Sequence, residues 1–376
     1  KSTLIISLKK NCGYRMAEVL ELVDGLDIIP RNHPYVFPQT LVMNLSQASI
    51  NGQPAVANVK YQPSRQSRLY HKYTQLTFGE QKVVKALAQD VELLNEFIYT
   101  GLAVDSKKAV LETVQDYLQF AESEENEEGE AKEKSRAVLA ARFKLPVGEV
   151  FSPLEGHNPP HLGRKPSFIQ ISGLSNSHLN AGLSIRVRPS YYDGLDAGNV
   201  HVANSELTMA DTEVVYLNNR LSLRKLDIVS VDAVNGGRTG LSGDNGKTWR
   251  IKLGVEQQNL SCQHCLVARF QGDIGVAKSI NDIAVMGVAV GGAVQNNRND
   301  YGALYSSVSA FTNLNLSNNA NLRMEYENRY HFDSNKGYEA VYSLEGRYRW
   351  AKNTDIRFMY QRNRAEEFSV SVGYYW

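Results

Sequence analysis

The sequence predicts a multi-domain chain: a mixed α/β segment, then a helical segment, then an antiparallel transmembrane β-barrel of about twelve strands. Three observations predict it. From Phe168 onward, apolar and charged residues alternate with a period of two. Turn-forming clusters such as Leu217-Asn218-Asn219 and Ser334-Asn335-Lys336-Gly337 separate the alternating runs. The chain ends on one such run, at Trp376.

Residues 1–70 read as mixed α/β. Asn11-Cys12 precedes a helical pattern in which Met16, Val19, Leu20 and Val23 fall at i, i+3, i+4 and i+7, and Gly25 stops it. Strand-like pieces follow at 35–37 and 57–61, among Pro30, Pro34, Pro38, Pro54 and Pro63. Residues 71–150 read as helical, with apolar residues at helical spacing over 78–87, 91–99 and 109–120. The acidic block from Glu122 to Glu130 reads as a solvated or disordered linker, after which 131–143 resume a helix.

Residues 151–376 read as the barrel. The alternating segments are 166–173, 179–189, 203–216, 220–233, 247–258, 262–274, 280–295, 301–314, 320–332, 337–350, 353–362 and 365–376. In the clearest one, Tyr338, Ala340, Tyr342, Leu344, Gly346, Tyr348 and Trp350 share a face opposite Glu339, Glu345, Arg347 and Arg349. In the segment before it, Leu322, Met324, Tyr326, Tyr330 and Phe332 oppose Arg323, Glu325, Glu327, Arg329 and His331.

A sheet with one apolar and one charged face fits either a soluble sandwich or a membrane barrel. The aromatic residues decide between them. Tyr, Trp and Phe cluster near strand ends, as girdles at two membrane interfaces would, while Arg and Glu mix on the opposite face, as in a filled lumen. The last strand strengthens the membrane reading. Phe368, Val370, Val372, Tyr374 and Trp376 alternate to the terminus, a pattern similar to the strand signal read by the barrel-assembly machinery. The expected location is the outer membrane of a Gram-negative bacterium, with the N-terminal part periplasmic. The expected partners are outer-membrane lipid and the assembly machinery. One feature resists: the two longest connections, 190–202 and 234–246, fall on the side where such barrels have short turns. Either a strand is miscounted or those turns face the N-terminal region.

Composition bounds the alternatives. Lys+Arg (41) and Asp+Glu (40) nearly cancel, which gives no reason to expect a nucleic-acid partner. No stretch approaches the ~20 apolar residues of a spanning helix, which leaves a barrel open. Without an initiator Met or signal peptide, the chain reads as the C-terminal portion of a longer precursor.

There are three cysteines. Cys262 and Cys265 flank Gln263-His264; a zinc site would need more ligands than His264 supplies, so no metal or other cofactor is expected. In an exported protein this pair reads as a disulfide across a turn. Cys12 stands apart. At a helix N-terminus its thiolate would be stabilised by unbonded N–H groups and the helix dipole, the device that activates a thiol nucleophile. The alternative is a buried structural cysteine on an apolar helix.

Asn11-Cys12-Gly13-Tyr14, Asp27-Ile28-Ile29-Pro30, the run Val59-Lys60-Tyr61-Gln62-Pro63-Ser64-Arg65 and the run Pro153-Leu154-Glu155-Gly156-His157 together resemble the Lnb N-terminal periplasmic domain family. The resemblance implies that residues 1–70 are the C-terminal part of a permuted papain-like domain, with Cys12 as catalytic nucleophile. It implies a cysteine-dependent acyltransferase or amidase acting on lipoproteins or phospholipids, and a general-base histidine upstream of Lys1. His33, His71, His157 and His161 do not fit that role in a permuted order, so the chain as given lacks a complete site. The competing readings are a non-enzymatic structural or interaction protein and a pore. Mixed Arg and Glu on the inner face argue against the pore, because they fill the lumen.

Overall fold

The computed structural model describes residues 11–31, 36–125, 128–154, 159–196, 204–280, 283–296, 302–333 and 337–376, with backbone only at 123–125, 128–131 and 160. The chain divides into two compact units. One holds Lys1–Val59, Asn158–Gly236 and Gly246–Trp376; the other holds Lys60–His157 and Gly237–Asn245. The helical unit thus includes nine residues, 237–245, from a barrel connection.

Twelve strands make the barrel: β1 Phe168–Asn176, β2 Asn180–Arg188, β3 Ser205–Leu217, β4 Arg220–Val234, β5 Lys247–Gln257, β6 Leu266–Ile280, β7 Ala284–Gln295, β8 Leu304–Asn315, β9 Ala320–His331, β10 Tyr338–Ala351, β11 Thr354–Asn363 and β12 Ala365–Tyr375. Each pairs antiparallel with the next. The seam closes where β12 pairs with β1, placing Phe168 opposite Tyr375 and Ile171 opposite Val372. A closed ring has no edge strand with unbonded N–H and C=O groups, the condition for a sheet to cross hydrocarbon.

The period-two pattern sets the two faces. On β12, Phe368, Val370, Val372, Tyr374 and Trp376 are exposed, while Glu367, Ser371 and Tyr375 are buried. On β9, Met324, Tyr326, Tyr330 and Phe332 point out, while Glu327, Arg329 and His331 are buried. Apolar residues face outward and charged ones inward, the inverse of a soluble barrel and the polarity of one that spans a membrane. The aromatics form two girdles. Trp249, Trp350 and Trp376 are exposed at the end where the barrel starts and finishes; Tyr216, Tyr330, Phe332 and Tyr338 are exposed at the other. From Tyr338 to Trp350 a strand runs roughly 40 Å at ~3.3 Å per residue. Tilted by about 40°, that covers roughly 30 Å, the hydrocarbon thickness of a bilayer. No helix among the described residues is long and apolar enough to cross a membrane.

The ladder differs from expectation in detail. The strand expected at 262–274 starts at Leu266, because Cys262 and Cys265 lie in the preceding loop and are disulfide-bonded with Cα atoms 5.9 Å apart. The strand count of twelve holds, so a miscounted strand does not explain the long connections.

In the same unit, residues 11–59 form a small α/β piece. Helix α1 spans Cys12–Leu20 and α2 spans Pro38–Gln47, the latter opened by a proline whose missing N–H has no helical partner to lose. Ser49–Ile50 and Gln53–Pro54 pair across Asn51-Gly52, both with positive φ (51° and 77°), as a two-residue hairpin requires. Ala17, Leu26, Ile28, Ile29, Val36 and Leu41 make its core. The strand expected at 57–61 is irregular chain; of the piece expected at 35–37, Tyr35 lies outside the described residues and Val36-Phe37 is not strand. Proline spacing favours turns but cannot supply a pairing partner.

The helical unit contains α3 Arg65–Gln75, α4 Phe78–Gln89, a 3-10 turn at Val91–Asn95, α5 Phe97–Thr100, α6 Val104–Glu125 and α7 Glu128–Phe143. Thr77 and Glu80 form a capping box at the start of α4. The expected helix at 91–99 is instead a 3-10 turn and a short α5. The acidic block is not the expected linker: α6 runs to Glu125 and α7 begins at Glu128, with 126–127 outside the described residues. Glutamate is a good helix former, and this propensity wins over charge repulsion where flanking helices are already packed. Leu69, Val84, Leu87, Val110, Leu111, Val114 and Val138 fill the core, joined by Leu241 from the 237–245 segment.

Candidate functional site

The lumen is crossed twice by chain and repeatedly by charge. At the end that carries the seam termini, the β2–β3 connection turns inward. Asp193 accepts from Arg357 of β11 at 2.7 Å, and Asp196 accepts from Arg164 at 2.6 Å, Arg188 at 2.7 Å and Arg357 at 3.0 Å. Arg347 of β10 donates to the Leu195 carbonyl at 3.3 Å. The hydroxyl of Tyr375, on the inner face of the last strand, bonds Asp196 and, at 2.7 Å, Asp355. A segment leaving β2 is thus held by β10, β11 and β12. The described part of the first long connection, up to Asp196, is an inward plug. The second, after β4, gives residues 237–245 to the helical unit.

At the opposite end the β5–β6 connection folds across the mouth. Leu260 N–H donates to Asn363 O at 3.2 Å, Asn363 Nδ2 donates to Gln258 O at 3.4 Å, and Asn176 Nδ2 donates to Leu260 O at 2.9 Å. Asn363 ends β11 and Asn176 ends β1, on the far arc of the ring from β5. The Cys262–Cys265 disulfide tightens this same loop.

Between the two loops, ion pairs bridge strands that are not neighbours. Arg323 of β9 sits 2.8 Å from Asp232 of β4, Arg250 of β5 sits 2.6 Å from Glu325 of β9, and Arg224 of β4 donates to Glu367 of β12 at 2.8 Å. Such pairs form only when opposite walls approach within two side-chain lengths. A cavity of about 350 Å³ remains, bounded at its ends by Gly194 and Gln258. Buried pairs of this kind add little net stability against an apolar filling, but losing one partner strands the other charge. They tie opposite walls together between the two loops.

Cys12 is the first residue of α1, exposed and not disulfide-bonded. Asn11 caps the helix, its Oδ1 accepting from Tyr14 N–H at 2.9 Å while its Nδ2 donates to Val36 O at 2.7 Å. The cap thus anchors the cysteine turn to the chain entering α2. Glu21 Oε1 accepts from the N–H groups of Ile28 and Ile29, fixing the following turn. The helix buries Ala17 and not its apolar stripe: Met16 and Val19 are 69% and 65% exposed. The buried-cysteine alternative is therefore set aside.

The histidines do not join it. His71 lies in the helical unit, 2.7 Å from Ser152 O. His161 is buried in the 3-10 turn Pro160–Leu162. His33 and His157 lie outside the described residues. Among the described residues no hydrogen bond joins Cys12 to a histidine, and no group of three or more His, Cys, Asp or Glu is placed to hold a metal. The sequence singled out Cys12 and the inner-face charges; it missed Asp193, Asp196 and Tyr375 as a group. Their signal was the length of the β2–β3 connection.

A family model described as a domain of unknown function (DUF7840) matches residues 157–376, and a second such model (DUF7842) matches 59–154. No curated protein matches the sequence. Among solved structures, the chain is similar to the KdgM porin at 10% identity over 55% of this chain and 98% of that one, with a TM-score of 0.35. It is similar to an outer membrane channel from Pseudomonas putida F1 at 7% identity over 60% and 99%, with a TM-score of 0.34. It is similar to the Acinetobacter baumannii outer membrane protein Omp33 at 8% identity over 57% and 99%, with a TM-score of 0.32. Scores this low carry no argument; the barrel rests on its own closed ladder.

Proposed function

For a chain that belongs to the DUF7840 family of domains of unknown function, we propose the role of a filled, non-conducting outer-membrane β-barrel that anchors a periplasmic apparatus. One observation carries this reading: two connections fold in from opposite ends of the lumen, one held by buried charge pairs and the other by hydrogen bonds with Asn176 and Asn363. A pore needs a continuous polar path, and here the polar groups of opposite walls bond to each other. The test is electrical. Purified protein in planar lipid bilayers should give no steady ohmic conductance. A variant lacking 193–196 and with 258–265 replaced by a short turn should conduct. Stable channels from the wild type would overturn the anchor reading.

A second reading concerns Cys12. Its support is an exposed thiol at the first position of a capped helix, together with the resemblance to the Lnb N-terminal periplasmic domain family. We propose that Cys12 is the nucleophile of a thiol acyltransferase or amidase acting on lipoproteins or phospholipids. The thiolate would attack the acyl carbonyl, release the amine or alcohol, and pass the acyl group from the Cys12 thioester to an acceptor. The base that takes the thiol proton would come from chain upstream of Lys1. In the full-length protein, Cys12→Ser should abolish turnover of an acylated lipopeptide and leave the barrel's heat-modifiable gel mobility unchanged. Retained turnover would leave the anchor role alone.

A further inference from the structure

The outer wall is not uniformly convex. Between β7 and β10 lies a depression of about 400 Å³. Its floor is Ser306, Val308 and Ala310 of β8, and Val288 of β7 forms one side. The other side is a row of stacked rings. Tyr326 packs on Tyr342 with centroids 4.8 Å apart, and Tyr330 packs on Tyr338 at 5.0 Å and on Phe332 at 5.3 Å. Ring stacking holds this ridge upright, so the groove is preformed.

Its position says what medium fills it. β8 descends from the tyrosine-girdle end at Leu304, so Ser306 to Ala310 covers the half of the wall nearest that end. Four residue steps of strand span roughly 13 Å, or about 10 Å along the membrane normal once tilt is included, within the ~15 Å half-thickness of the hydrocarbon layer. At the rim the hydroxyl-bearing rings of Tyr330 and Tyr338 are exposed. Deeper in the groove Asn328, opposite Val308 in the ladder, donates its amide to the Tyr326 hydroxyl at 3.4 Å.

We propose that this groove binds one acyl chain of a lipid in the leaflet at the tyrosine-girdle end, with the lipid's polar headgroup at Tyr330 and Tyr338. The inference rests on the membrane reading of the barrel. The groove is continuous with the lipid-facing band, so its occupant comes from that medium. The small floor residues admit a methylene chain where Val or Leu at 306 and 310 would exclude it.

The test uses the full chain extracted in detergent, titrated with dioleoyl-phosphatidylethanolamine and read by native mass spectrometry. The wild type should retain one more lipid per barrel than Ser306→Leu/Ala310→Leu, which fills the floor. Val370→Leu, on the outward face of β12, should match the wild type. Both substitutions face outward, so heat-modifiable mobility reports whether each variant still folds. Equal retention by all three folded proteins would overturn the proposal. A wild-type dimer lost on filling the groove would also overturn it, naming a second copy as the occupant. Protein that is soluble without detergent would instead remove the membrane reading itself, a separate outcome.

Discussion

Tyr70 on α3 donates its phenolic hydrogen to Asp244, 174 positions further along the chain. The same carboxylate accepts from Arg238 N–H at 3.0 Å, Thr239 N–H at 2.8 Å and the Thr239 hydroxyl at 2.7 Å. Tyr73, one turn along α3, donates to Thr239 O at 3.0 Å. One aspartate thus folds the 237–245 segment and fastens it to the helices around Leu241.

This arrangement gives the helical unit a pH dependence. Burial first, and then the Asp244 carboxylate, push the Tyr70 phenol above its ordinary value. The stabilisation is fully present below about pH 10, where an unfolded tyrosine still holds its proton, and is lost as pH rises through the higher folded value. Thermal unfolding of the helical signal by circular dichroism should show falling stability above about pH 10. Tyr70→Phe should flatten that decline. An unchanged slope in Tyr70→Phe would assign the effect to other groups.

The pair Arg323–Asp232 crosses the lumen, and Asp232 is 4% exposed... a carboxylate with little water to fall back on. Arg323→Met removes the nearer of its two cationic partners, leaving Arg250 at 3.4 Å. The expected cost is about 3–5 kcal/mol in urea unfolding of the folded barrel, followed by gel mobility. A double variant, Arg323→Met/Asp232→Leu, should recover part of that loss, because no charge is left stranded. A double variant as weak as the single one would mean that the packing of Arg323, and not its charge, is what counts.

Val372 sits on β12 opposite both Ile356 and Ile171, so its backbone lies between two ladders at the seam. Val372→Pro removes a donor there and should block assembly. Val372→Ile keeps the outward apolar face and should assemble normally. Outer-membrane fractionation with heat-modifiable mobility reads both, and normal assembly of the proline variant would remove the seam from its assigned role.

Cys262 and Cys265 should resist maleimide labelling until reduced, while Cys12 labels without reductant. Peptide mapping separates the three sites. Full labelling of Cys262 and Cys265 in the unreduced native protein would refute the disulfide.

Much of the barrel was legible because strand alternation is a local signal. Arg323, Glu325 and Glu327 declare the inner face of β9 by their spacing, whatever they later touch. The terminal run from Phe368 to Trp376 likewise declares its outward face. What was not legible depends on partners distant in sequence. Nothing near Asp193 or Asp196 reveals that Arg357 and Tyr375 will meet them, so an inward plug reads as a surface loop. Leu241 and Asp244 lie in a barrel connection but serve a helical core. The acidic block misled because its charge pattern spoke of solvent while its helix propensity, helped by packed neighbours, decided the backbone. For Cys12 the helix start was legible; the Asn11 cap and the exposure of Met16 and Val19 needed the fold.

The inward plug imposes an order of events on biogenesis. It hangs from β2 and β3, on one side of the seam, yet its partners Arg357 and Tyr375 belong to β11 and β12, on the other. A ring that closed first would have to draw a charged loop in through a mouth already spanned by ion pairs. A sheet that curls around the loop before the seam pairs avoids that passage. Tyr375, facing inward on the strand that pairs across the seam, meets Asp196 only when that loop is in place, so filling of the interior and closure of the ring are coupled.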